Sequence, residues 1–118
     1  MATVNINLSC NLQQAVEVKN LCGSFFSADS GGNTVNVSVY DGIDPASISG
    51  TVGANVILPN GNTVTVTGGT VSGNVASIAL PADAYAIPGV ITVIVKLTSG
   101  SVVTTIAAFV ISVVRSTL

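Results

Sequence analysis

Two long β-branched runs, separated by a short polar break, constrain this chain more than anything else in it. Residues 89–97 read Gly-Val-Ile-Thr-Val-Ile-Val-Lys-Leu, and residues 101–114 read Ser-Val-Val-Thr-Thr-Ile-Ala-Ala-Phe-Val-Ile-Ser-Val-Val, with only Thr98, Ser99 and Gly100 between them. Val, Ile and Thr lose side-chain freedom in a helix but pack well on a pleated surface, and neither run shows a helical period. The pair therefore reads as a β-hairpin. Val93, Val95 and Leu97 alternate with Thr92, Ile94 and Lys96, so Lys96 marks the face that meets water. Both faces are otherwise apolar, which places the hairpin in the middle of a packed body. The uncharged window 97–114 is not read as a membrane span. Thr98, Ser99, Gly100, Thr104 and Thr105 interrupt it, and its β-branched content favours strand.

The other segments repeat this texture in shorter form. In residues 3–8, Val4, Ile6 and Leu8 alternate with Thr3, Asn5 and Asn7, the pattern of a half-buried edge strand. Residues 11–23 fit either a helix or a strand, and strand is favoured because every neighbouring segment is β. Residues 24–32 read as a loop anchored in the core by Phe25 and Phe26. Residues 33–40 alternate again, with Val35, Val37 and Val39 inward, and Asp41-Gly42 and Asp44-Pro45 supply turns. Residues 51–58 and 63–67 form a strand pair around Pro59-Asn60-Gly61-Asn62. Gly68-Gly69 and Ser72-Gly73-Asn74 then punctuate the way to a strand over 75–80. Tyr85 follows a Leu80-Pro81 step just before the hairpin, like the tyrosine corner of immunoglobulin-like sandwiches.

About seven to eight short strands with regular turn signals predict an all-β fold, an immunoglobulin-like sandwich of antiparallel strands, with a small closed barrel as the alternative. At 118 residues this is one domain. Within it, residues 1–30 form an N-terminal strand, arm and loop, packed on or exchanged with neighbours, and residues 31–118 form the sandwich core.

Charge and chemistry narrow the function by what they leave out. Only 7% of residues are charged, against about a quarter in an ordinary soluble domain, and the formal net charge is −2. A surface of Thr, Ser, Asn and Gly repels other copies only weakly. Such a skin suits a soluble neutral domain or, as the sharper reading, a chain whose surface is covered in an assembly. Lys19, Lys96 and Arg115 are scattered and make no phosphate-tracking patch, so nucleic-acid binding is not expected. The start of the chain lacks the basic and apolar regions of an export signal.

The sequence contains no His, which excludes Ser/His and Cys/His nucleophilic pairs, and no glycine-rich loop precedes a helix. Asp41 and Asp44 lie close enough for an acid pair or part of a calcium loop, yet both sit where a turn needs an Asp. No catalytic residues, cofactor or metal are expected, and the chain is read as a non-enzyme. Cys10 and Cys22 lack further ligands for zinc and are expected as two buried, reduced thiols, with a disulfide between them as the lesser alternative.

From Asn33 onward, Tyr40-Asp-Gly-Ile-Asp-Pro-Ala46 is followed by Ser49-Gly50-Thr-Val52, Pro59-Asn-Gly-Asn-Thr63-Val, Gly68-Gly and Gly73-Asn74-Val. Leu80-Pro, Ala84-Tyr85, Pro88-Gly89, Lys96-Leu97 and Thr104-Thr105-Ile-Ala complete the pattern. This texture resembles a group of small virion proteins of tailed bacteriophages, the immunoglobulin-like modules of head decoration, head-fibre and baseplate upper proteins. The resemblance implies a structural protein of the virion, assembled in the host cytoplasm.

The short chain leaves no room for a separate shaft. That points to a capsid decoration (cement) protein, with the major capsid protein and other copies of itself as partners, a homotrimer being one expected form. The strand holding Thr3, Val4, Asn5, Ile6, Asn7 and Leu8 is the candidate assembly element. The alternative is an adhesion module of a baseplate, tail or head fibre that binds a host-surface protein or glycan. Tyr40, Asp41 and Asp44 would then be contact residues, with Tyr85 mainly a structural corner. A pilus or surface-layer subunit would call for an export signal.

Overall fold

In the computed structural model, which describes residues 4–27 and 33–116, the chain is all-β, as the alternation predicts. Its strands are β1 (Val4–Asn11), β2 (Val18–Phe26), β3 (Asn33–Asp41), β4 (Asp44–Pro45), β5 (Thr51–Ile57), β6 (Thr63–Ser72), β7 (Val75–Ala79), β8 (Gly89–Ser99) and β9 (Val102–Val114). A 3-10 turn, Ala82–Tyr85, precedes β8. Among the described residues no helix is long and apolar enough to cross a membrane.

The strands form one hydrogen-bonded path, β1-β3-β7-β6-β5-β8-β9-β2, with β4 beside β3. This path folds over on itself at β6. The start of β6 pairs with β5, whereas Thr70, Val71 and Ser72 pair with β7. Gly68-Gly69 makes the crossing possible. Gly68 has φ +88°, and a Cβ at Gly69 would lie 2.7 Å from both Ser77 O and Val52 Cβ. A side chain at Gly69 would therefore collide with strands of both halves.

The folded-over sheet has a first half (β1, β3, β7 and the end of β6) and a second half (the start of β6, then β5, β8, β9 and β2). The inward residues of both merge into one core that includes Val35, Val37, Ile78, Val56, Val93 and Phe109. The expected hairpin is β8–β9, in register from Gly89↔Val113 to Ser99↔Val102, with a bulge after Val95. It lies inside the second half, between β5 and β2. Lys96 is on the solvent side of β8, opposite Gly53 and Thr105.

Three details differ from the sequence reading. The strands are not all antiparallel, because β1 runs parallel to β3 and β2 runs parallel to β9. Residues 24–26 belong to strand β2 rather than to a loop. Of the two phenylalanines there, Phe25 is buried and faces Val113, while the next residue, Phe26, must point the other way and is 44% exposed. Residues 12–17 form the turn and connection between β1 and β2, so the favoured strand begins only at Val18.

Candidate functional site

The expected assembly strand is β1. Thr3 lies outside the described residues, and Val4 opens the strand opposite Asn33. Ile6 and Leu8 pack partly against the core, opposite Val35 and Val37 of β3. Asn5 and Asn7 point outward, where the Asn36 Nδ2 amide donates to Asn7 Oδ1 (3.1 Å) and Asn5 Oδ1 (3.4 Å). Ser77 Oγ in turn donates to Asn36 Oδ1 at 2.7 Å. One edge of β1 is thus joined to β3 of the same chain, and no described strand pairs with its other edge. β2 is the outermost strand at the opposite end of the path.

Asp41 and Asp44 form the last register pair of the β3–β4 hairpin, with Gly42 between them at φ +69°. The Asp41 carboxylate accepts a hydrogen bond from Gln13 Nε2 at 2.9 Å, and Asp44 is exposed. Asn11 ties this turn to the end of β1. Its side chain donates to Gly42 O (2.9 Å) and accepts from Gly42 N (3.2 Å). The two aspartates therefore sit within a hairpin turn braced by Asn11 and Gln13. Among the described residues no three His, Cys, Asp or Glu side chains gather as a metal site would require.

The aromatic candidates separate. Tyr85 is fully buried at the end of the 3-10 turn, its ring centroid 5.4 Å from that of Phe25 at an interplanar angle of 48°. Tyr40 is half-buried and lines a cleft of about 730 Å³ beneath the 12–17 connection. The floor of the cleft is Leu8, Cys10 and residues 106–108 of β9, and Glu17 and Lys19 stand at its rim. Spacing along the chain gave no hint of it, because its lining comes from the end of β1, the 12–17 connection, the end of β3 and the middle of β9, which are far apart in sequence.

The cysteines depart from expectation. Cys10 is buried, but Cys22 is exposed where the β2–β9 register is interrupted, and both are free thiols. Burial pushes the Cys10 thiol pKa up. The folded state therefore holds this proton more tightly than the unfolded chain. The associated stability is intact at neutral pH and is lost as pH rises through the folded pKa.

The two outward faces of the sheet are chemically different. On the first half, the row Asn7–Asn36–Ser77–Thr70 crosses four strands and is entirely amide and hydroxyl. On the second half, the row Asn55–Ile94–Ala108–Val18 is largely aliphatic, and Ile57, Thr92 and Val110 align beside it. Val18 is 59% exposed and Val90 56% exposed on this face. The sequence reads the hairpin as apolar on both faces, but alternation alone could not place Val18 beside Ala108 and Ile94, because that needs the parallel β2–β9 pairing.

No family model matches the chain, and no curated protein matches it. Among solved structures, it is similar to the N-terminal domain of phage TP901-1 ORF48, with a TM-score of 0.54 and 7% sequence identity. The match covers 96% of this chain and 98% of that one. At this identity the likeness is one of fold, and it extends over essentially the whole of both chains. The chain thus shares the fold of a phage protein domain.

Proposed function

We propose that this chain is a structural protein of a tailed-phage particle, a decoration protein that binds the outside of the head and stabilises it. The observation that carries the reading is the aliphatic patch of Val18, Val90, Ile94 and Val110 on the outer face of the second half, beside Lys96, on a chain with the fold of a phage domain. An aliphatic sheet face with little charge around it suits a covered surface better than a solvated one. The particle supplies the cover, and its symmetry multiplies weak contacts made by each copy. No step of covalent chemistry is assigned to the chain, whose role is non-enzymatic.

The mechanism is mass action. A protein that binds the expanded shell and not its precursor stabilises the expanded state in proportion to occupancy. Purified heads lacking the protein should become more resistant to heat when it is added, with the gain saturating as sites fill. Heads whose disruption temperature is unchanged at saturating protein would contradict the proposal.

A second reading, an adhesion module that binds the host surface, is favoured by the Tyr40-lined cleft. Its apolar floor and polar rim fit the general make-up of a small-ligand site, and its volume lies within the roughly 300–1,000 Å³ such sites occupy. Binding of the protein to host cells, reduced by Tyr40→Ala, would favour that reading over decoration.

A further inference from the structure

Among the described residues, the most exposed large apolar side chain stands on the turn between β3 and β4. Ile43 is 95% exposed at its tip, between Asp41 and Asp44. The turn itself does not ask for it. Gly42 supplies the positive φ, and the second position of such a turn is ordinarily Ser, Asn or Asp. An isoleucine exposed to this degree also adds nothing to the core.

The tip is braced by side chains from outside the hairpin. Asn11, at the end of β1, closes on both backbone groups of Gly42, donating to its carbonyl and accepting from its N–H. Gln13 Nε2 donates to the Asp41 carboxylate, and Leu12 N donates to Tyr40 O at 2.8 Å. An apolar residue on a mobile loop loses conformational freedom when it binds. Ile43 is presented on a turn whose shape is already set, which lowers that cost.

The surroundings of Ile43 specify the chemistry of what would meet it. The Asn11 and Gln13 bonds bring the 12–17 connection beside the turn, and Leu12 and Val16 are exposed on it. That connection leads into Val18 of the aliphatic outer face, so exposed apolar side chains continue from that face towards the tip. Three of the chain's five acidic residues, Glu17, Asp41 and Asp44, lie along the same path, and all three are exposed. Lys19 stands with Glu17 at the cleft rim. This end of the molecule is therefore apolar at its tip and acidic around it.

We propose that the Asp41–Asp44 turn is a docking knob, whose Ile43 enters an apolar pocket rimmed by Lys or Arg on a partner protein. Under the decoration reading, on which this inference rests, that partner is the outer surface of the expanded head. Burial of Ile43 supplies affinity, while Asp41 and Asp44 on either side of it favour a basic rim and reject an acidic one. The same charges exclude a contact between the tips of two copies, because both would be acidic. The aliphatic face lies against the particle, and the knob fixes where it lies.

The test is a co-sedimentation titration of the full chain on purified expanded heads, with urea unfolding as the check on folding. Ile43→Asn sets a good turn former at the tip. Its unfolding midpoint should stay unchanged while its affinity for heads falls about tenfold or more. Ile43→Leu should keep affinity within about twofold of the unmodified protein. Asp44→Asn should weaken binding about two- to threefold at low salt and flatten its salt dependence. Should Ile43→Asn fail to fold, Ile43→Ser replaces it with the same expectation. Heads that bind the folded tip variant as tightly as the unmodified protein would overturn this contact and leave the decoration reading standing. Binding lost equally in Ile43→Leu, or strengthened in Asp44→Asn, would overturn it as well. A chain that binds no heads at all removes the decoration reading, and this contact with it.

Discussion

The two outward faces of this folded sheet are built on the same strand alternation and carry opposite chemistry. On the first half, Asn36 is the hub of an amide ladder, receiving a hydrogen bond from Ser77 and donating to Asn5 and Asn7. Asn5, Asn7, Asn36 and Ser77 thus bond to one another within the chain. On the second half, Ile57, Ile94, Val110 and Val18 present aliphatic groups beside Asn55 and Thr92, with no such ladder between them. The difference teaches that exposure and availability are separate properties. One face bonds within the chain, and the other is the face that the proposed function places against the particle.

This comparison can be broken most forcefully from inside, at the core that both faces share. Phe109 is fully buried, opposite Val93 of β8. Phe109→Ala should cost about 3–5 kcal/mol in urea unfolding and weaken both halves together. If the two halves unfolded in separate transitions, they would not be one cooperative body. The crossing comes next. Gly69→Val sets a side chain against Val52 and Ser77, and should cost about 1–3 kcal/mol by overpacking.

Smaller effects discriminate between the faces. Asn36→Ala removes the hub of the polar ladder and should cost about 1 kcal/mol, since partly exposed hydrogen bonds contribute little each. Head binding should be unchanged, because the ladder is internal to the chain. Val90→Ser should behave in the reverse way. At an exposed site its effect on stability should stay within about 0.5 kcal/mol, while its affinity for heads falls measurably in a binding titration. Equal behaviour of the two variants in both assays would erase the distinction between the faces.

How much of this was legible in the sequence depends on the range of the interaction. The β8–β9 hairpin was readable because its alternation and its Ser99-Gly100 break are local. The inward set Val35, Val37 and Val39 was readable for the same reason. Residues 24–26 were misread because Ser24 and the following Asp, Ser and Gly residues look like a loop, whereas Phe25 is held as strand by its place beside Val113. The parallel pairings of β1 and β2 left no local trace, since each joins segments far apart in the chain. Cys22 was expected to be buried by residue type, but the interrupted β2 register leaves it outside. The candidate surfaces were the least legible. The cleft and the aliphatic face both depend on where β2 begins and ends.

The most direct test of the central claim, that this is a protein of the phage head's exterior, is the number of copies bound per purified head at saturation, measured by quantitative sedimentation. The account predicts a fixed number set by the symmetry of the shell, reached on expanded heads and not on their precursors. Binding that never saturates, that occurs equally on both kinds of shell, or that is absent from heads altogether would contradict it.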